Sequence, residues 1–134
     1  MIVLDIVTGS LRQIGIIGET KTPSAEQGAD AVTRLNDLMA SMEEDEIYLG
    51  WNPKSTTADT VVLPLGHVET IKALLAVILA GSYGVEPPAI TVVNANQGYK
   101  RLLRGAIQDA MTEAQTDAPY GDAQILPFNI YTRN

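Results

Sequence analysis

Residues 66–88, GHVETIKALLAVILAGSYGVEPP, limit the folds open to this chain more than any other stretch. Val68, Ile71, Leu75 and Ile78 recur at helical spacing, and Leu74, Val77 and Leu79 cover most of the remaining circumference. A helix apolar on so many sides is buried on most of them. It can cross a membrane, fill the core of its own domain, or be shared between that domain and a neighbouring subunit. A span needs about 20 predominantly apolar residues. Here Glu69 and Lys72 bound the uncharged run on one side and Glu86 on the other, so the membrane reading falls away. The core and inter-subunit readings both stand. Gly81 or Gly84 can take the left-handed conformation that ends a helix, and Pro87 and Pro88 cannot continue one.

Three further segments carry a helical period. Leu4, Val7, Leu11 and Ile14 share one face, widened by Val3, Ile6 and Ile17, and Gly15 and Gly18 weaken the helix towards its end. In the second, Thr22 can cap the free amides with Pro23 in the first helical position, and Ser24 with Gln27 offers a capping box one register along. Val32, Leu35, Met39 and Met42 form its seam, with Ala31 and Leu38 beside it. The acids Glu43, Glu44, Asp45 and Glu46 oppose the negative end of the helix dipole and read as a solvated loop rather than a metal site. The last helix carries Val92, Ala95, Tyr99, Leu102, Ala106 and Ala110 on one stripe and the basic cluster Lys100, Arg101 and Arg104 on its more polar side. Gly98 and Gly105 are seven apart, cost about 1 kcal/mol each relative to Ala, and point to a close backbone approach. The periodicity and caps predict helices near 4–17, 23–43, 65–81 and 89–112.

Two segments have a different texture. In residues 46–63, Ile47, Leu49 and Trp51 alternate with Tyr48 and Gly50, and residues 61–63 form a second extended piece. With Asn52 and Pro53 between them, they predict a small hairpin or paired edge. At the end, ILPFNIYTRN places Leu126, Phe128 and Ile130 on one side of an extended chain, tethered by the linker-like TDAPYGDAQ. The tail either adds itself to another chain or folds back on the insert. The expected architecture is mainly α: a four-helix bundle over residues 1–118 with a short strand-like insert at 46–63, and an extended C-terminal tail at 119–134.

Composition removes other classes. The 134 residues suit a single domain. The absence of cysteine rules out disulfides and thiolate metal sites, and one histidine rules out a His-rich metal site. A net charge of −7 opposes wrapping nucleic acid by phosphate neutralisation. Asp5 lies where a secretory signal would carry positive charge. His67 stands without a nucleophile motif or phosphate loop and reads as a capping or surface residue, and GIIGET lacks the strand–GxGxxG–helix setting of a nucleotide site. Neither an enzyme nor a cofactor is expected.

Taken in order, LDIVTGSLRQIGI, TPSAEQGADAVTRLNDLMASM, LPLGHVETIKALLAVILAGSYGVEPP and a Lys/Arg-bearing helix resemble the head-to-tail connector proteins of tailed bacteriophages, also called tail accessory, adaptor or head-completion proteins. The matching motifs fall at residues 22–26, 35–39 and 83–87, over a resemblance of about 110 residues. Relatives often carry a longer strand-rich insert than residues 46–63. The resemblance implies a structural virion protein at the neck, assembled in the host cytoplasm. It implies a ring of self-associated copies, twelve in number, below the portal. That ring would extend the DNA channel, help retain the packaged double-stranded DNA without specific binding, and dock tail or neck proteins, with no membrane role. By the same resemblance Ile125, Leu126, Phe128, Ile130, Tyr131 and Arg133 are expected to reach the portal protein. Leu74, Leu75, Ile78 and Leu79 are expected at the subunit interface with Gly98 and Gly105. Lys100, Arg101 and Arg104 would contact DNA or an adjacent subunit's acids. The alternative is a phage-encoded helical DNA-binding regulator, which three basic residues on a −7 background support poorly.

Overall fold

The computed structural model describes residues 1–117, and in it each periodic segment is a helix. These are α1 (Val3–Gln13), α2 (Ala25–Glu44), α3 (Leu65–Tyr83) and α4 (Ala89–Asp117). No strand forms among the described residues, so the protein is mainly α, as its periodicity predicts.

Local chemistry explains most helix ends. Of the two possible caps for α2, Ser24 takes the role: its hydroxyl accepts from Gln27 N at 3.2 Å, and Gln27 Oε1 accepts from Ser24 N at 2.9 Å. The reciprocal box satisfies two amides where Thr22 could satisfy one, so α2 starts at Ala25 rather than Pro23. Gly84 ends α3 with φ +69°, and Val85 N donates back to Ala80 O at 3.0 Å. The first helix stops earlier than position 17. Ile14 is its C-cap, Gly15 turns left-handed at φ +74°, and Ile16 N reaches back to Leu11 O at 3.1 Å.

α3 is the hub and packs against all three other helices, while α1 and α2 also meet each other. Val3, Ile6, Val7 and Leu11 of α1, Leu35 of α2, and Ile71, Leu75 and Leu79 of α3 are all fully buried in one core. Although α3 is long and apolar enough to cross a membrane, Val68, Ile71, Leu75 and Leu79 are buried within its own domain. Two close crossings fix its position. Against α1, the hydroxyl of buried Ser10 lies 2.9 Å from Ile6 O and 3.0 Å from Lys72 O, while the Lys72 stem lies over Gly9. Against α4, a Cβ built on Gly98 would lie 2.3 Å from Thr70 Oγ1. Gly98 is thus a close-approach glycine, and the approach is to α3 of the same chain.

The expected hairpin does not form, because both of its arms are engaged elsewhere. Thr57 O and Asp59 O accept from Leu4 N and Val3 N, each at 2.9 Å, and Val61 N donates to Met1 O at 3.0 Å. An antiparallel bridge between Ile2 and Thr60 accompanies them. The insert therefore caps the start of α1, whose first amides have no partner within the helix. Asp59 shapes this turn by accepting from Ser55 N at 2.6 Å and Thr56 N at 3.0 Å, and those bonds, led by Thr56, hold its carboxyl below its usual pKa.

The other arm is latched to α2 by Asn36. Its Oδ1 accepts from Lys54 N at 2.9 Å and from Trp51 Nε1 at 3.2 Å, and its Nδ2 donates to Lys54 O at 2.8 Å. Lys54 Nζ lies 5.1 Å from the centre of the Trp51 ring. Asn36→Leu strips all three bonds and leaves partly buried donors unpaired, at a cost of about 1–3 kcal/mol. The expected result is faster amide exchange across residues 51–60 with α2 still helical. Unchanged exchange there would refute the latch.

Candidate interaction surface

Ala95, Gly98 and Leu102 of α4 are buried against the bundle, with Val92, Tyr99 and Ala106 half-covered beside them. The opposite side of the helix is exposed among the described residues. Ile90, Val93, Lys100, Arg104, Ile107 and Met111 are all exposed and, with Gln97, follow one another at alternating three- and four-residue steps. They therefore form one stripe, apolar at both ends and basic in the middle. Arg101 is exposed next to it, and among the described residues none of the three cations is in an ion pair.

Gly98 packs opposite Thr70, so an antiparallel count brings α4 past the start of α3 near residue 103. Beyond that point the described neighbours of α4 are the end of α2, the start of the insert and His67 in the first turn of α3. Tyr99 makes the junction, its hydroxyl donating to Asp45 Oδ2. That bond, with burial and the carboxylate's charge behind it, pushes the Tyr99 phenol up to about 12. A groove of about 350 Å³ opens here, with Tyr48 and Ile47 on one wall, Gly105 and Ala106 on the other, and His67 and Arg101 among its polar groups. On the other side of the α4 ridge a second, more apolar groove runs between Asp45 and the side chains of Leu103, Ile107 and Met111.

Leu75 and Leu79 have no exposed surface, whereas Leu74 and Ile78 are half-buried on the same helix. A Cβ on Gly105 would meet nothing within 4 Å, in contrast to Gly98. His67 sits in the first turn of α3, a helix that begins without a side-chain cap. Glu43 and Glu44 close α2, and Glu46 adopts a left-handed φ of +65°. Among the described residues no three His, Asp or Glu side chains come together as a metal site. Ile125, Leu126, Phe128, Ile130, Tyr131 and Arg133 lie outside the described residues. Sequence reasoning missed the continuity of the α4 stripe. The three- and four-residue spacing was the available signal, but it reads equally well as a second buried seam until the bundle is known.

A small helical domain that seals its own core and still presents a long apolar and basic helix face is equipped to associate with other chains. The chain belongs to the P22 tail accessory factor family, whose model matches residues 3–131, and is therefore a structural accessory protein associated with the bacteriophage virion. No curated protein matches it. The resemblance carried by residues 22–26, 35–39 and 83–87 is thus borne out. The structure gives those motifs physical roles: Ser24 caps α2, Asn36 latches the insert, and Gly84 ends α3.

Proposed function

We propose that the protein assembles as a ring, of twelve copies, beneath the portal vertex, where it extends the DNA channel, helps retain packaged DNA and docks tail or neck components. The family match over nearly the whole chain carries this reading. Two features of the molecule agree with it. The exposed stripe of α4 offers apolar area that the domain does not use. The charge of −7 per copy gives a twelve-membered ring roughly −84 overall, a field that keeps a polyanion moving rather than held. Within this reading Leu74 and Ile78, half-buried on α3, retain area for a neighbour, whereas Leu75 and Leu79 serve the chain's own core.

The portal contact is assigned to the C-terminal segment through Leu126, Phe128 and Ile130, with Ile125, Tyr131 and Arg133 beside them. Each large apolar side chain contributes about 1.5–3 kcal/mol on burial before ordering costs, and a ring repeats the contact in every copy. Deleting residues 125–134 is expected to leave a soluble helical protein that no longer joins portal-bearing heads. Normal incorporation of the truncated, folded chain, scored by particle composition, would move the docking surface onto the helices. Unfolding of the truncated chain would make the segment part of the core.

A further inference from the structure

The face of α2 turned away from the core complements the stripe of α4. Glu26, Asp30, Asp37 and Glu44 fall at seven-residue or four-residue steps with Thr33 and Ala40 between them, so one side of α2 carries an acidic stripe. All six are exposed except Asp30, which is half-buried and lies 3.8 Å from Arg34 one turn on. The acids stand about a turn or two apart along the helix, and the small side chains between them leave room for larger groups to seat. On α4, Lys100 and Arg104 are one turn apart at mid-stripe, flanked by Ile90 and Val93 on one side and Ile107 and Met111 on the other.

Within one chain these two faces adjoin only at their ends, where Ile107 and Met111 border the groove beside Asp45. α4 packs chiefly on α3, and α2 packs on α1 and α3, with both stripes left outward. A head-to-tail contact between identical chains needs two different, complementary surfaces on each copy, and it closes into a ring when its rotation allows. Opposite charge on the two stripes, with apolar ends to be covered, is the pattern that steers and orients such a contact. Duplex DNA is a poorer occupant for the α4 stripe. The charge of −7 per copy opposes close approach of phosphates to Lys100 and Arg104, whereas the α2 face offers carboxylates at spaced positions among small side chains.

We infer that the outer stripe of α4 in one copy seats on the acidic outer face of α2 in the next, with Lys100 and Arg104 across from Asp30 and Asp37. The inference rests on the ring reading and specifies which surfaces make it. The absence of cysteine permits a direct test. The full-length variant carrying Asp37→Cys and Arg104→Cys is mixed with portal and treated with a bifunctional thiol reagent whose reach covers one helical turn. Electron microscopy of the same sample shows whether rings are present. Rings with a covalent ladder extending beyond the dimer support the inference, provided each single-cysteine variant yields no ladder. Rings without a ladder overturn the inference and leave the ring reading standing. Folded unsubstituted protein that forms no rings on the portal overturns both.

A second pair of variants keeps the test independent of cross-linker geometry. Reversing Lys100 and Arg104 to Glu should lower ring yield by about tenfold, and reversing Asp30 and Asp37 to Lys in the same chain should restore it. If the Glu variant forms rings at the normal yield but no longer retains duplex DNA, the stripe reads phosphate and the inference falls.

Discussion

Leu75→Asp should abolish folding. Leu75 is fully buried on the helix that touches all three others. Losing its burial removes about 1.5–3 kcal/mol, and a carboxylate placed there without a partner costs several more or must take up a proton. Together these approach the whole stability of an ordinary domain, about 5–15 kcal/mol. The expected readout is insoluble protein, or loss of the helical circular dichroism signal. Its neighbour is the informative control. Leu74 is half-buried, so Leu74→Asp should keep the helical signal and shift the melting temperature by only a few degrees, while reducing incorporation into particles. A folded Leu75→Asp protein with an unchanged melting temperature would mean that α3 is not the hub.

Gly98→Ala should destabilise the protein although it improves helix propensity. The substitution gains about 1 kcal/mol of intrinsic propensity. Its new methyl carbon would lie 2.3 Å from Thr70 Oγ1 and 2.8 Å from Thr70 Cβ, so α3 and α4 must separate or strain. Overpacking of this kind costs about 1–3 kcal/mol, which outweighs the gain. Thr70→Ala removes Oγ1 and Cγ2 but keeps the Cβ at 2.8 Å, so that double variant should recover only part of the loss in a urea melt, and Thr70→Gly should recover more of the packing. Gly105→Ala meets nothing within 4 Å and should raise stability by up to about 1 kcal/mol. If Gly98→Ala raises the melting temperature as Gly105→Ala does, the close crossing is wrong. A stabilised Gly105→Ala protein that fails to assemble would place a neighbouring subunit against Gly105.

The helices were legible because their signals are local. The Ser24 and Gln27 box, the seam through Leu35 and Met39, and the Gly84 stop act within a turn or two of the chain, where side-chain identity and spacing suffice. A capping choice such as Thr22 against Ser24 also had its answer in the sequence, as two reciprocal bonds against one. The apolar circumference of α3 likewise determined that this helix must be covered on several sides.

What covered it was a tertiary decision. Three helices of the same chain enclose most of α3, and only their packing separates fully buried Leu75 from half-buried Leu74 next to it. Residues 46–63 alternate like strands, yet their backbone groups are taken by the first turn of α1 and by Asn36, partners far along the chain that no local pattern names. The two stripes of α4 show the same limit. Both follow helical spacing, and the buried one is distinguished by the Thr70 and Gly98 crossing, a contact between residues 28 positions apart. Spacing determines which side chains share a face. Whether that face is filled or free depends on what the rest of the chain brings against it.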